Sequence, residues 1–327
     1  MRSILFPVCL FLALAANAQG PAPAATAQGP APVGIDTTAI SLKTATGTLY
    51  GSLVVAAGHP TLPVVLIIAG SGPTDRNGNS PMLHSDMYKL LADSLAQHGI
   101  ASLRYDKRGV AASAAALRSE ADITFPDYIA DAVGFIRLLQ ADKRFTRVIV
   151  FGHSEGSLIG MVAAQQANAD AYISASGAGD RIDKVIYPQI AAQSRVMADS
   201  AKVLFDSLSQ GYHVQEPHSA LRALFRASVQ PYMISWLRYD PQIEIRKLHI
   251  PVLIIQGATD LQTTVADAEK LKAALPAATL KIVPGMNHIF REASLDRQLN
   301  LSTYSKPSLP LAPEAIADIT GFLLTLH

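Results

Sequence analysis

The sequence predicts an α/β protein with a mostly parallel central sheet, an N-terminal hairpin and a helical insertion late in the chain. Three observations carry this reading. Continuous apolar runs such as Val64-Val65-Leu66-Ile67-Ile68-Ala69 have the composition of strands buried on both faces. Segments of helical periodicity separate these runs, and the alternation repeats along the chain. The alternation stops between 179 and 248 and resumes at Pro251. The chain has 327 residues, 49% hydrophobic and 16% charged. That is enough apolar material for one large domain with an insertion, and it argues against a disordered chain.

The elements follow in order. Residues 1–18 read as a secretory signal peptide: Arg2 gives a positive start, Ile4 to Ala15 is almost wholly apolar, and Ala16-Asn17-Ala18 is a small-residue cleavage site. The apolar run is short for a bilayer span, and no later segment reads as a stable membrane span. Cys9, the only cysteine, lies inside this segment. Cleavage would leave a chain without cysteine, suited to the periplasm or to secretion without disulfides. Residues 19–38, rich in Pro, Ala and Gly, read as a flexible lead-in. Ile40 to Leu42 and Thr48 to Val55 suggest a hairpin turning at Thr46-Gly47. The run after Pro63 is the first long strand and ends at Gly70-Ser71-Gly72-Pro73.

Tyr88 to Gln97 reads as a helix and Ala101 to Tyr105 as a strand ending in Asp106-Lys107-Arg108-Gly109. Ala111 to Ala121 is left as either a surface loop or a short helix. Phe125 to Leu139 reads as a helix whose polar side carries Asp127, Asp131 and Arg137. Arg147 to Phe151 is a strand, Ser154 to Gln166 a helix and Ala171 to Ser174 a strand. Pro251 to Gln256 and Thr279 to Val283 are strands, with a helix from Val265 to Leu275 between them. A last helix spans about Pro313 to Leu326. Residues 39–178 and 249–327 are therefore assigned to one α/β domain, and 179–248 to a helical insertion.

The chemistry gathers at strand ends. Gly152-His153-Ser154-Glu155-Gly156 has the form Gly-x-Ser-x-Gly between a strand and a helix. A serine at such an elbow is held on a strained turn, above the free N–H groups of the helix start. The plainer reading is that Ser154 caps the helix. A serine nucleophile needs a base. His288, just past the last buried strand, has that placement; otherwise it is a surface-loop histidine. His153 is adjacent in sequence but badly placed to reach Ser154. The base needs a carboxylate, and Asp260 follows the strand at 251–256; otherwise it caps the helix after it. An oxyanion hole needs two N–H donors, for which the Glu155 and Ser71 amides are the candidates. The loop at Ser71 lacks the Gly-rich patterns that cradle nucleotide phosphates.

These segments resemble the α/β-hydrolase superfamily, nearest to secreted or periplasmic bacterial serine carboxylesterases of the dienelactone-hydrolase-like kind. The likeness rests on 70–79, on Arg104-Tyr105-Asp106-Lys107-Arg108-Gly109, on the elbow, on Gly257-Ala258-Thr259-Asp260 and on Gly285-Met286-Asn287-His288. It covers about Leu49 to Leu326. It implies an α/β-hydrolase catalytic domain with 179–248 as a cap over the site. It also implies hydrolysis of small or medium apolar carboxylic esters through a covalent acyl-enzyme on Ser154. A serine peptidase or aminopeptidase, or an amide or lactone hydrolase, would use the same triad. Tyr187, Tyr232, Met233 and Trp236 are candidates for the pocket, with packing of the cap as their plainer role. The charges at 104–108 read as an ion-pair latch or as an anchor for a substrate carboxylate. No cofactor and no metal is expected. With 27 basic and 26 acidic residues the chain offers no electrostatic reason to bind nucleic acid. A monomer or a homodimer is expected.

Overall fold

The computed structural model describes residues 34–57, 62–81, 83–215, 217 and 219–326. The expected signal peptide and most of the lead-in lie outside the described residues. The first strand, β1 (Ile35–Lys43), pairs antiparallel with β2 (Thr48–Ala56). It begins inside the span read as lead-in, because pairing with the far end of β2 gives residues 35–38 a partner strand.

After β3 (Leu62–Ile68) comes a miniature hairpin of β4 (Asn79–Ser80) and β5 (Leu83–His84), too short to show in sequence periodicity. The next elements are α1 (Met87–Gln97), β6 (Ala101–Tyr105), α2 (Phe125–Ala141), β7 (Phe145–His153), α3 (Glu155–Ala167) and β8 (Ala171–Ala175). Residues 111–116 and 120–122 are short 3₁₀ turns. The insertion holds α4 (Ile182–Ala191), α5 (Arg195–Ser209), α6 (Arg222–Phe225), α7 (Gln230–Trp236) and α8 (Pro241–Ile245). The chain closes with β9 (Val252–Gly257), α9 (Val265–Ala274), β10 (Thr279–Val283), α10 (Arg297–Ser302) and α11 (Pro313–Leu324). The short α10 was not expected from the sequence.

Eight strands form one sheet in the order β1-β2-β6-β3-β7-β8-β9-β10. β1–β2 and β2–β6 are antiparallel, and every pair from β6 to β10 is parallel. The period of two along a strand sends alternate side chains to opposite faces. Val64, Leu66 and Ile68 enter the core shared with α2 and α3, whereas Val65, Ile67 and Ala69 enter the core shared with α1 and α11. Val148 and Val150 against Ile149 and Phe151 repeat the division. This two-sided burial explains the unbroken apolar runs. The chain passes from β3 to β6 on one side and then to β7 on the other. The loops at the carboxyl ends of β3 and β7 therefore part at a topological switch point, where α/β sheets offer a crevice.

The helix α2 differs from its expected amphipathic pattern. Thr124 and Asp127 close a capping box at its start. Asp131, however, does not lie on the solvent side; it is 2% exposed and paired with Arg108. Helical spacing alone cannot distinguish a solvated carboxylate from one that meets a buried cation supplied by another strand end.

The insertion packs back as a cap. Ser235 Oγ on α7 accepts the Phe125 N–H at the start of α2, at 2.8 Å. The Trp236 and Phe125 rings stack with centroids 5.5 Å apart and planes within 8°. Arg226 pairs with Glu120. Among the described residues no helix is long and apolar enough to cross a membrane.

Candidate active site

The elbow forms because two glycines permit close approaches that a side chain would forbid. A Cβ on Gly152 would lie 2.2 Å from the Gly156 carbonyl oxygen. One on Gly156 would lie 2.5 Å from the Ile68 carbonyl oxygen of β3. Between them Ser154 adopts φ 55° and ψ −121°, a region that L-residues rarely occupy and that stores backbone strain. Ser154 stands at the start of α3, yet its side chain makes no capping hydrogen bond. The strained turn is thus not spent on capping, and the hydroxyl is left at the wall of a cavity.

Asp260 and His288 meet. The His288 Nδ1 to Asp260 Oδ2 distance is 2.7 Å, with both side chains almost wholly buried. The other Asp260 contacts are donors: Thr263 Oγ1 at 2.9 Å and Gln256 Nε2 at 3.2 Å on Oδ2, and the Gln262 and Thr263 N–H groups on Oδ1 at 2.7 and 3.1 Å. Burial pushes the carboxyl pKa up, but the His288 charge and hydrogen bond, with the two backbone N–H bonds, outweigh it and leave the pKa below the usual carboxylate range. Helix α9 is capped instead by Thr264 in a capping box with Asp267. His288, 4% exposed, is not a surface histidine. Its loop is pinned by Asn287, whose Oδ1 accepts the Ile289 and Arg291 N–H groups at 3.2 and 3.0 Å, and whose Nδ2 donates to Thr303 at 2.8 Å.

Ser154 follows β7, Asp260 follows β9 and His288 follows β10, all at one edge of the sheet. The Ser154 N–H donates to the Ala175 carbonyl at the end of β8. The His153 ring reaches the His288 loop: its Nε2 is 2.8 Å from the His288 carbonyl oxygen, and the two rings are 4.7 Å apart. Ser154 and His288 make no direct hydrogen bond in this arrangement. Such contacts commonly tighten only when substrate is bound.

His153 belongs to a buried relay. The Gly70 N–H donates to Tyr88 Oη at 2.9 Å, and Tyr88 Oη lies 2.8 Å from His153 Nδ1. A carbonyl can only accept, so Nε2 carries the His153 proton toward His288 and Nδ1 accepts from Tyr88. Burial, reinforced by the His288 charge, lowers the His153 pKa to about 3, which keeps it neutral. Tyr88 was not a candidate from sequence; it is one apolar-face residue of α1 among several, with no local motif to mark it.

The two proposed oxyanion donors also converge. Ser71 and Glu155 both line the cavity that holds Ser154. A Cβ built on Gly70 would lie 3.1 Å from Ser154 Cβ, so the loop after β3 passes directly over the elbow. Neither the Ser71 nor the Glu155 amide donates to another group of the protein among the described residues.

The charges at 104–108 act as ties. Arg76 binds Asp106 through its N–H at 2.8 Å and its guanidinium at 2.6 Å. Arg108 binds Asp131 with two nitrogens, at 2.8 and 2.5 Å. Lys107, 2% exposed, donates to the Gly70 carbonyl at 2.5 Å.

The cavity is about 580 Å³, within the usual range for small-molecule sites. Leu158, Ile182, Val185, Ile186, Trp236 and Leu261 supply its apolar wall. Of the four expected pocket residues only Trp236 lines it. Tyr187 lies toward the outside of the cap, bonded to Asp199 with Arg195 over its ring. Tyr232 and Met233 are 2% and 0% exposed and pack inside, Tyr232 against Phe125 and Tyr128. The short helix α7 presents its Trp236 end to the cavity, while the Tyr232 ring packs on Phe125 and Tyr128 of α2 with its hydroxyl near the Glu155 carboxyl. Among the described residues no group of three His, Cys, Asp or Glu side chains converges as a metal site.

A model of a hydrolase family described as serine aminopeptidase, S33, matches residues 82–293, well over half of the chain. The chain belongs to this family. Esterase EstD of Thermotoga maritima is 28% identical over 233 residues, covering 68% of this chain and 52% of EstD. The chain thus spans about half the length of that curated relative. Among solved structures, Est1E from Butyrivibrio proteoclasticus is similar with a TM-score of 0.57 at 17% identity, covering 88% of this chain and 98% of Est1E. The Pyrococcus furiosus esterase Pf2001 has a TM-score of 0.54 at 14% identity, covering 89% of this chain and 92% of Pf2001. These structures share the α/β-hydrolase fold.

Proposed function

We propose that this protein is a serine carboxylesterase that cleaves small or medium apolar esters through an acyl-enzyme. The observation that carries the reading is the Asp260–His288 pair at the same sheet edge as the strained Ser154 elbow, opening on a cavity with two free amide donors. Ser154 Oγ attacks the acyl carbon while His288 Nε2 takes its proton. Asp260 holds Nδ1–H and stabilises the imidazolium. The Ser71 and Glu155 N–H groups receive the oxyanion. His288 then protonates the leaving alcohol, and in the second step it activates the water that releases the acid.

An ester is favoured over a peptide with a free amino terminus by the fate of the acidic side chains. An ammonium group needs an unpaired carboxylate in the cavity. Only Asp180 and Glu155 line it among the described residues. Asp180 is paired with Lys270 and receives Gln242, and Glu155 faces Lys107. In the cap, Asp183, Asp199, Asp206 and Glu244 are each bound to a neighbouring cation. EstD, the curated esterase relative, points the same way.

The first 18 residues support a reading as a periplasmic or secreted enzyme, and the likeness at 70–79 and 104–109 supports placing it in the dienelactone-hydrolase-like group. Turnover of p-nitrophenyl acetate, butyrate and octanoate beside aminoacyl p-nitroanilides tests the activity. Butyrate is expected to be cleaved fastest, and the anilides at least about 100-fold more slowly. Faster anilide cleavage would make the protein a peptidase. Ser154→Ala is expected to lose about 10³-fold or more in kcat and all fluorophosphonate labelling.

A further inference from the structure

Lys107 is a cation in the interior, and burial is costly for an ammonium unless it is paired. Its partners are few. It donates to the Gly70 carbonyl at 2.5 Å, stands 3.9 Å from Glu155 Oε1, and lies 5.3 Å from the Tyr128 ring centre. The Gly70 carbonyl belongs to the same peptide unit as the Ser71 N–H. That peptide is trans, as all described peptides are, so its C=O and N–H point in opposite directions. A group that holds the oxygen from beneath therefore aims the hydrogen the other way, and Ser71 stands at the cavity wall. On the other side of Gly70, the N–H is held by Tyr88 Oη at 2.9 Å. Both peptide units that meet at Gly70 are thus fixed. The second oxyanion donor is tied to the same ammonium, because Glu155 places its carboxyl beside Lys107 and its N–H at the cavity.

We propose that Lys107 is the positioning residue of the oxyanion hole: its ammonium orients and polarises the Gly70–Ser71 peptide so that the Ser71 N–H meets the charge that develops on the substrate oxygen. The proposal rests on the esterase reading of Ser154. A neutral donor would satisfy the Gly70 carbonyl equally well. A cation adds two effects. It withdraws electrons through the peptide toward its oxygen, which makes the N–H a stronger donor. It also sets a positive field close to the forming oxyanion, and the burial of Lys107 limits the screening of that field. Glu155, 3.9 Å away, offsets part of that field throughout the reaction, so the bond to the Gly70 carbonyl carries the proposal. Lys107 touches neither substrate nor the reacting atoms, so its effect should grow as the carbonyl becomes tetrahedral and be small for bound ester.

The test uses Lys107→Met and the double variant Lys107→Met/Glu155→Gln, which removes both charges and leaves no uncompensated carboxylate. Each is measured for p-nitrophenyl butyrate kinetics, for affinity toward an arylboronic acid that becomes tetrahedral on Ser154, and for near-UV circular dichroism. The double variant is expected to keep the wild-type dichroism and a KM within about threefold. Its kcat should fall about 10- to 100-fold, below the loss of a whole donor, and its boronate affinity by the same factor. A double variant with kcat and boronate affinity within threefold of wild type would overturn the proposal and leave Lys107 as the counter-ion of Glu155. A rise in KM with unchanged kcat would also overturn it, by placing Lys107 in ground-state binding. Fluorophosphonate labelling of the unaltered enzyme at Ser154 separates the two readings: without it the esterase reading itself fails, and this proposal with it.

Discussion

The strand-end loops and the cap are built by different rules. At the strand ends, backbone passes within a few ångströms of backbone: a Cβ on Gly257 would lie 2.0 Å from the Met286 carbonyl oxygen, much as Gly152 and Gly156 meet their neighbours. Polar groups there are buried and mutually bonded, as around Asp260 and Asn287. In the cap, Arg195–Asp199 and Lys202–Asp206 are exposed pairs one helical turn apart, screened by solvent and of little weight for stability. The proposed triad thus sits in the most closely packed backbone, while the cap contributes Ile182, Val185, Ile186 and Trp236 to the cavity wall.

Breaking the rigid side should have the largest effect. Asp260→Asn leaves the loop in place but reverses the hydrogen bonding that fixes the His288 tautomer. A fall in kcat of about 10³- to 10⁴-fold is expected, with KM nearly unchanged in steady-state assays on p-nitrophenyl butyrate. A loss below tenfold would remove Asp260 from the triad.

A second effect, on stability, comes from His153. Its pKa is depressed to about 3 in the fold against an ordinary 6.5. The unfolded chain therefore binds the extra proton between those values, and stability is lost as pH falls from about 6.5 toward 3. One such group contributes about 1.4 kcal/mol per pH unit in that window. Urea unfolding at pH 7 and pH 5 should show a drop that is about 2 kcal/mol smaller in His153→Asn. An equal drop in both proteins would mean that His153 is not held neutral.

The smallest effect belongs to the cap. Ile186 lines the cavity from α4. Ile186→Ala should shift preference toward longer acyl chains by about 10-fold in kcat/KM, since one methylene in an apolar pocket discriminates by about 1–3 kcal/mol. The p-nitrophenyl ester series measures it, and an unchanged profile would place the acyl chain elsewhere.

The same contrast governs what the sequence revealed. The central strands were legible because two-sided burial demands unbroken apolar runs. Ser154 and Asp260 were legible as candidates because each closely follows such a run, whereas the strand before His288, β10, is not the buried strand expected but a half-exposed edge strand, and His288 was legible only from its place after the last strand. Tyr88 and Asp131 were not. Their importance depends on which distant group each one meets, His153 for the first and Arg108 for the second, and no periodicity encodes that. The pocket was least legible. Large side chains in a short helix divide between core and cavity according to the rotation of that helix: Tyr232 and Met233 pack inside and Trp236 lines the cavity. The span read as lead-in erred at its end for a related reason: Ile35 to Thr38 become strand only because β2 extends far enough to pair with them.

The bond from Phe125 to Ser235 and the stacked Trp236 ring carry a consequence for how this architecture diversifies. The first amide of α2 is satisfied by a hydroxyl from the insertion, so excising 179–248 would strip a donor and an aromatic neighbour from the body it leaves behind. A chimaera that transplants another enzyme's insertion must bring along a replacement for both contacts. Recombination at the outer helices α4 and α5 escapes this demand, which makes that end of the insertion the natural place to engineer new specificity.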